Sequence, residues 1–240
     1  MGRLLPQHTA FWQAAFVALL VAMVPAGAAA PVADTMTQRV MACTACHGPQ
    51  GRASAQGYVP RIAGKPAGYL HQQLLAFRDG RRRHDGMARL LEHLNDAYLA
   101  EIATHFASLD LPYGPLPGNQ PALPADVASR GAALALKGDT ARGLPACSAC
   151  HGAALTGVVP SVPGLLGLPK DYVLGQLGGW RVGARQALKP DCMAQIAKRL
   201  KPDEVTAVAA WLQAQPMPAV AAPVAGFSGT WPMDCGSVSR

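Results

Sequence analysis

The hexapeptide Cys43-Thr44-Ala45-Cys46-His47-Gly48 returns later in the chain as Cys147-Ser148-Ala149-Cys150-His151-Gly152. The correspondence continues well past the motif. Pro60, Ile62, Gly64, Pro66 and Tyr69 align with Pro163, Leu165, Gly167, Pro169 and Tyr172. Gln73-Leu74, Phe77-Arg78, Gly80 and Arg82 align with Gln176-Leu177, Trp180-Arg181, Gly183 and Arg185, and Met87 and Leu94 with Met193 and Leu200. The register drifts by a few residues along the way, as small loop insertions would cause. The chain is a duplication, so its fold has to build one unit twice.

The motif at the head of each unit has a spacing set by chemistry. Two thiols separated by two residues reach the two vinyl groups on one edge of a porphyrin, and the histidine that follows reaches the iron from one face. This is the attachment signal of c-type haem. A single match carries a false-positive risk, but two matches at equivalent places in a duplicated unit do not arise by chance. Zinc would draw all four cysteines into one shared site, which the duplication explains badly. Thioredoxin-like redox chemistry belongs with an α/β pattern, which this chain does not show. The sequence therefore predicts two covalently bound haem c groups. Cys43 and Cys46 carry one and Cys147 and Cys150 the other, with His47 and His151 as the iron ligands.

The second axial ligand decides the chemistry of each iron. Methionine raises the potential and suits electron transfer. Met87 and Met193 stand at matching positions after their histidines. In the first half His71, His84, His93 and His105 are rivals, but none has a histidine counterpart, and the second half holds only His151. The competing reading of Met193 is a core filler, a common use of methionine.

Composition agrees with short helices wrapped around a cofactor. Half of the 240 residues are apolar, 6% are aromatic and 15% charged, with 25 glycines and 21 prolines. A half this small buries little surface on its own, and a bulky apolar group at its centre supplies the missing core. Three further helices are readable in the first half, over Thr35 to Ala42 with Asp34 as N-cap, Tyr69 to Arg78, and from Asp96 with Leu99, Ile102, Phe106 and Leu109 on one side. In the second half Pro202 opens a helix that has Val205, Val208 and Leu212 along its buried stripe. Five prolines between Leu111 and Ala125 mark an extended linker. The predicted division is an export signal at 1–30, a first domain at 31–110, the linker at 111–125, a second domain at 126–215 and a tail at 216–240.

Arg3, the apolar run from Phe11 to Val24 and the small residues Pro25 to Ala30 read as an export signal cleaved near Ala28 to Ala30. The alternative, a retained anchor, has an apolar run shorter than the roughly 20 residues a spanning helix needs. The formal charge of +7 hints at an acidic partner and equally at ordinary solubility. No nucleic-acid motif is present, and membrane association is expected only through partners. Arg78, Arg81, Arg82 and Arg83 form the one basic run. Its bland reading is a solvated helix end. Its functional reading is pairing with haem propionates or an acidic partner, and the recurrence of Arg78 and Arg82 as Arg181 and Arg185 favours propionate contacts for those four. Cys192 and Cys235 belong to neither motif. In an oxidising compartment they are expected to form a disulfide, which would tie the tail to the segment bearing Met193. The alternative is two free thiols, one of them linking chains.

Together the paired CxxCHG, the Pro-Arg-Ile-Ala-Gly segment at 60–64, the run Tyr69-x-x-x-Gln73-Leu74-x-x-Phe77-Arg78-x-Gly80 and the methionine followed seven residues later by leucine resemble the two-haem class I cytochromes of the cytochrome c4 type, over roughly residues 34 to 215. The resemblance implies an all-α fold of two tandem class I cytochrome c domains, each wrapped around one covalent haem. It also implies a place in the bacterial periplasm and electron transfer from a cytochrome bc1-type complex or dehydrogenase towards a terminal oxidase in a respiratory chain. Such a protein is an electron carrier. Similar proteins serve as electron-accepting subunits of periplasmic dehydrogenases, and a two-haem peroxidase would need one iron with an open position. The chain departs from the pattern in its second copy, where Pro163 to Gly167 lacks the Arg-Ile-Ala core, Cys192 precedes the methionine, and the tail is extra.

Overall fold

Thr35 starts the first helical stretch by accepting the Gln38 amide on its hydroxyl at 3.3 Å, one residue later than the cap expected at Asp34. In this computed structural model, which describes residues 33–53, 58–114, 122–227 and 229–238, the stretch is two short helices, α1 (Met36–Arg39) and α2 (Met41–His47), hinged at the buried Val40. The export signal and part of the proline-rich linker lie outside the described residues. Helix α3 (Ala67–Arg78) begins directly after Pro66 and stops before Gly80. Helices α4 (Asp85–Leu91) and α5 (Asp96–Ala107) follow, α5 capped by the Asn95 side chain on the Tyr98 amide at 2.9 Å. In the second half come α6 (Ala125–Leu136), α7 (Ser148–His151), α8 (Lys170–Val182), α9 (Cys192–Arg199) and α10 (Pro202–Ala214).

Each half has its own apolar core. Leu70, Leu91, Leu99, Ile102 and Phe106 join in the first, where α3 packs on α5. Leu134, Leu168, Val173, Leu177, Leu200, Val205, Val208 and Leu212 join in the second, where α10 packs on α6 and α8. Leu99, Ile102 and Phe106, and Val205, Val208 and Leu212, are buried as expected, because residues three and four apart share one side of a helix. Leu109, expected on the same stripe, lies past the end of α5 and is half-buried. Glu204 ties α10 down further. It takes a two-pronged contact from Arg142 at 2.9 and 3.0 Å and accepts the Lys201 amide at 2.8 Å. The Arg142 guanidinium holds its carboxyl below the usual carboxylate range.

The fold is mostly helical, and among the described residues the strands are an antiparallel pair of two residues each, β1 (Gly157–Val158) and β2 (Val162–Pro163). Valines at 158 and 162 favour extended backbone, and the turn between them is too short to carry a periodic signal. The C-terminal tail covers the outer side of this pair. Val224 donates its amide to the Gly157 carbonyl and accepts the Val159 amide, both at 3.0 Å. Further on, the tail laces to the segment before α9. The Gly236 amide donates to the Pro190 carbonyl at 2.9 Å, the Leu188 amide donates to the Ser237 hydroxyl at 3.2 Å, and Cys235 is bonded to Cys192. The first half reaches the same strap, since Gln72 Nε2 donates to the Ser237 carbonyl at 3.0 Å.

Helices α6 and α10 approach closely at Gly131 of α6. A methyl group there would stand 2.5 Å from the Ala207 carbonyl oxygen and 2.5 Å from Trp211 Cβ on α10. Both obstacles belong to the α10 frame, so α10 would have to move away. Gly131→Ala is therefore expected to destabilise the second half by about 1–3 kcal/mol, the usual cost of overpacking. A lower denaturation midpoint followed at second-half tryptophans would show it, and an unchanged midpoint would mean that the crossing is looser than described.

Candidate functional site

In both halves the histidine of the CxxCH motif is held in the same way. His47 Nδ1 lies 2.8 Å from the Pro60 carbonyl oxygen and His151 Nδ1 lies 2.7 Å from that of Pro163. A carbonyl only accepts, so Nδ1 carries the proton and donates. In a neutral ring that leaves Nε2 with its lone pair, the arrangement seen in metal-ligating histidines. Burial pushes both imidazoles below their ordinary range; the proline carbonyls oppose this. Arg82 and His84 add to it at His47, and Lys65 at His151. Neutral imidazole is the ligand form. Gly48 (φ +75°) and Gly152 (φ +82°) follow the histidines in the left-handed region, where a side chain would be strained. That accounts for the glycine ending each motif.

The thiols differ from those of a redox dithiol. Burial raises Cys43 and Cys150 and pushes Cys147 up to about 11. Thiol–disulfide exchange depends on a lowered thiol pKa. Cys43 packs against the first core and Cys147 against the second, so the two motifs do not converge on one metal. Met87 packs against the same core as Cys43, and Met193 against the same core as Cys147. Each half thus packs one motif thiol and a thioether against one core, next in sequence to a histidine whose Nε2 keeps its lone pair. Of the rival histidines, His84 accepts the Met87 amide at 3.3 Å and so caps the helix that carries the methionine.

The four arginines divide into two pairs. Arg78 Nη1 donates to the Leu94 carbonyl at 3.0 Å and to Asp96 at 2.6 Å, and Arg181 Nη1 donates to the carbonyls of Ala197 at 2.7 Å and Leu200 at 2.5 Å. Both fasten the end of a central helix, α3 or α8, to the segment closing the methionine helix, α4 or α9. The recurrence of Leu94 as Leu200 was the sequence trace of this clamp. Arg82 and Arg185 instead meet each other's half. Segments 81–83 and 184–186 run antiparallel, with the Arg83 amide on the Ala184 carbonyl at 2.9 Å and the Gln186 amide on the Arg81 carbonyl at 2.7 Å. Arg82 donates to Gln73 at 2.9 Å, Gln176 at 2.6 Å and Tyr172 at 3.1 Å. Arg185 donates to Gln176 at 2.7 Å, Gln73 at 2.9 Å and Tyr69 at 3.4 Å. Each guanidinium also lies over a ring, Arg82 over Phe77 and Arg185 over Trp180.

Arg82 and Arg185 are only 9% and 7% exposed, and among the described residues neither has a carboxylate partner. Arginine does not deprotonate in proteins, and a buried charge is costly unless paired. Burial and the neighbouring Arg82 push Arg185 down accordingly. Beside them the Trp180 indole N–H is buried with no acceptor among the described residues. Two buried cations without a counter-ion and an unpartnered indole donor fit the propionate edge of haem. Paired thiols, free imidazole nitrogens and thioethers fit its vinyl edge and its iron. The residues present therefore suit covalent haem c.

Comparison with known proteins agrees with this geometry. The cytochrome c family model matches residues 35–101. The chain is 34% identical over 202 residues to the thiosulfate dehydrogenase electron acceptor of Thiomonas intermedia, covering 83% of this chain and 88% of that one. It is 34% identical over 172 residues to cytochrome c4 of Pseudomonas aeruginosa, covering 70% and 82%. The structure of reduced cytochrome c4 from Pseudomonas stutzeri superposes with a TM-score of 0.63 at 28% identity, covering 77% of this chain and 98% of that one. The chain belongs to the cytochrome c family, and it is a cytochrome c4-like electron carrier with covalent haem c as its cofactor.

Proposed function

We propose that this chain binds two haems, one in each half, and relays single electrons between periplasmic redox proteins across the interface between Arg82 and Arg185. One observation carries the reading: each half repeats the same hydrogen bond from histidine Nδ1 to a proline carbonyl, together with a half-buried motif thiol and a methionine packed on one core. Cys43 and Cys46 would hold the first haem with His47 and Met87 on its iron. Cys147 and Cys150 would hold the second with His151 and Met193. Haem supplies a one-electron ferric–ferrous couple. Pro60 and Pro163 fix the imidazole rings, Arg78 and Arg181 hold the methionine helices in place, and Arg82, Arg185 and Trp180 answer the propionate charge. His47 with Met87, and His151 with Met193, would leave neither iron open to a substrate.

The donor side is best read as a periplasmic dehydrogenase, since the Thiomonas relative is named for accepting electrons from thiosulfate dehydrogenase. The acceptor side is a respiratory chain leading to a terminal oxidase. An export signal at 1–30 and domains at 31–110 and 126–215 joined by the linker at 111–125 complete the proposal. Isolating the native protein with its bound partner tests the donor. A dehydrogenase that copurifies and reduces it supports the reading, and direct reduction by a bc1-type complex with no dehydrogenase attached would replace it.

Met193→Ala is expected to lower the reduction potential of one haem and alter its low-spin spectrum while the other stays as it was, because the thioether favours ferrous iron. Met87→Ala is expected to do the same to the other haem. Spectra and potentials unmoved by either variant would remove that methionine from the ligand set. The bond between Cys192 and Cys235 closes a 43-residue separation and is expected to contribute about 3–4 kcal/mol by restricting the unfolded chain. Because Cys192 adjoins Met193, reducing that disulfide is expected to weaken methionine ligation in the second half alone. Loss of ligation in both halves, or in neither, would contradict this.

A further inference from the structure

We propose that Lys65, a residue of the first half, raises the reduction potential of the haem iron in the second half by placing a buried positive charge on the segment that holds His151. The inference goes beyond the two-haem reading and depends on His151 being an iron ligand.

Lys65 is 4% exposed. Its ammonium crosses to the other half, where Nζ donates to the Gly164 carbonyl at 3.2 Å. Gly164 directly follows Pro163, whose carbonyl accepts the His151 Nδ1 proton at 2.7 Å. The ammonium and the imidazole are therefore fastened to consecutive carbonyls of one strand end. Among the described residues no carboxylate pairs with Lys65; besides the Gly164 carbonyl, the Tyr113 ring lies 5.9 Å from its ammonium. A buried cation without a counter-ion opposes folding. A neutral amide would satisfy the Gly164 carbonyl equally well, so the hydrogen bond alone does not explain a charge here.

The duplication shows that this charge is not part of the shared unit. The flanking Gly64 and Pro66 align with Gly167 and Pro169, which puts Leu168 opposite Lys65. Gly164 in turn stands opposite Arg61, whose guanidinium stays in its own half on the carbonyls of Ala63, Leu111 and Pro112. The second half therefore sends no lysine to the Pro60 segment. Lys65 acts in one direction, from the first half onto the second.

The couple concerned is one electron added to ferric iron to give ferrous iron, with no bond made or broken. Ferric iron carries the greater positive charge, so a nearby cation shifts the couple towards ferrous. A unit charge roughly 10 Å away, at an effective dielectric near 20, changes such an equilibrium by on the order of tenfold. For a one-electron couple a tenfold change corresponds to about 59 mV.

Spectroelectrochemical titration of the purified, fully haem-loaded protein tests this. The two steps are assigned to their halves beforehand with Met87→Ala and Met193→Ala. Lys65→Met should lower the second-half midpoint by roughly the tenfold change given above, leave the first-half midpoint in place and keep both low-spin spectra. Lys65→Arg, which keeps the charge, should hold the second-half midpoint near the original value. An unmoved second-half midpoint in Lys65→Met, equal movement of both midpoints, or an equal fall in Lys65→Arg would overturn the proposal. Counting covalent haems first separates the two levels. A chain without haem at the second motif defeats the two-haem reading and the inference with it. Two haems with unmoved potentials defeat the inference alone.

Discussion

An imidazole that donates its Nδ1 proton to a proline carbonyl is the interaction around which each half is arranged. It needs the histidine at the end of a short helix, a glycine in the left-handed region immediately after it, and a proline-bearing loop folded back over the ring. His47 with Gly48 and Pro60, and His151 with Gly152 and Pro163, meet these conditions in parallel. Once the ring is pinned through Nδ1, Nε2 keeps the lone pair that an iron would take. The short apolar helices then have a centre to pack around, which makes two small cores viable in one chain.

The interface between the halves answers a second requirement. Two guanidinium groups share two glutamine oxygens and two tyrosine hydroxyls in a nearly twofold pattern, without a carboxylate among the described residues. Such a network buries two positive charges without a counter-ion among the described residues, which is costly for the protein alone. The same residues therefore join the halves.

Much of this was legible in the chain. Local signals carried the helices. The stripe of Leu99, Ile102 and Phe106 is buried because helical periodicity dictates it, and α3 starts directly after Pro66 because proline suits a helix boundary. The CxxCHG repeat carried its chemistry openly, since its spacing follows from porphyrin geometry. What stayed hidden depends on distant partners. Arg78 and Arg82 lie four residues apart and recur identically, yet one clamps a helix end in its own half and the other crosses to the opposite half. Only the positions of Leu94 and Gln176 in space separate them. Lys65 gave no signal at all, because a single lysine between glycine and proline in one copy reads as a surface residue. The strand pair at 157–163 is too short for periodicity to reveal, and the path of the tail is set by its contacts with Gly157 and Pro190.

The central claim is that each half holds one covalent haem through its own pair of cysteines. Intact-mass measurement of the native protein, after alkylation under reducing and denaturing conditions, tests it most directly. The account predicts a chain bearing two haems, with Cys43, Cys46, Cys147 and Cys150 all resistant to alkylation and only Cys192 and Cys235 modified. A mass with one haem or none, or alkylation at either CxxCH motif, would contradict it.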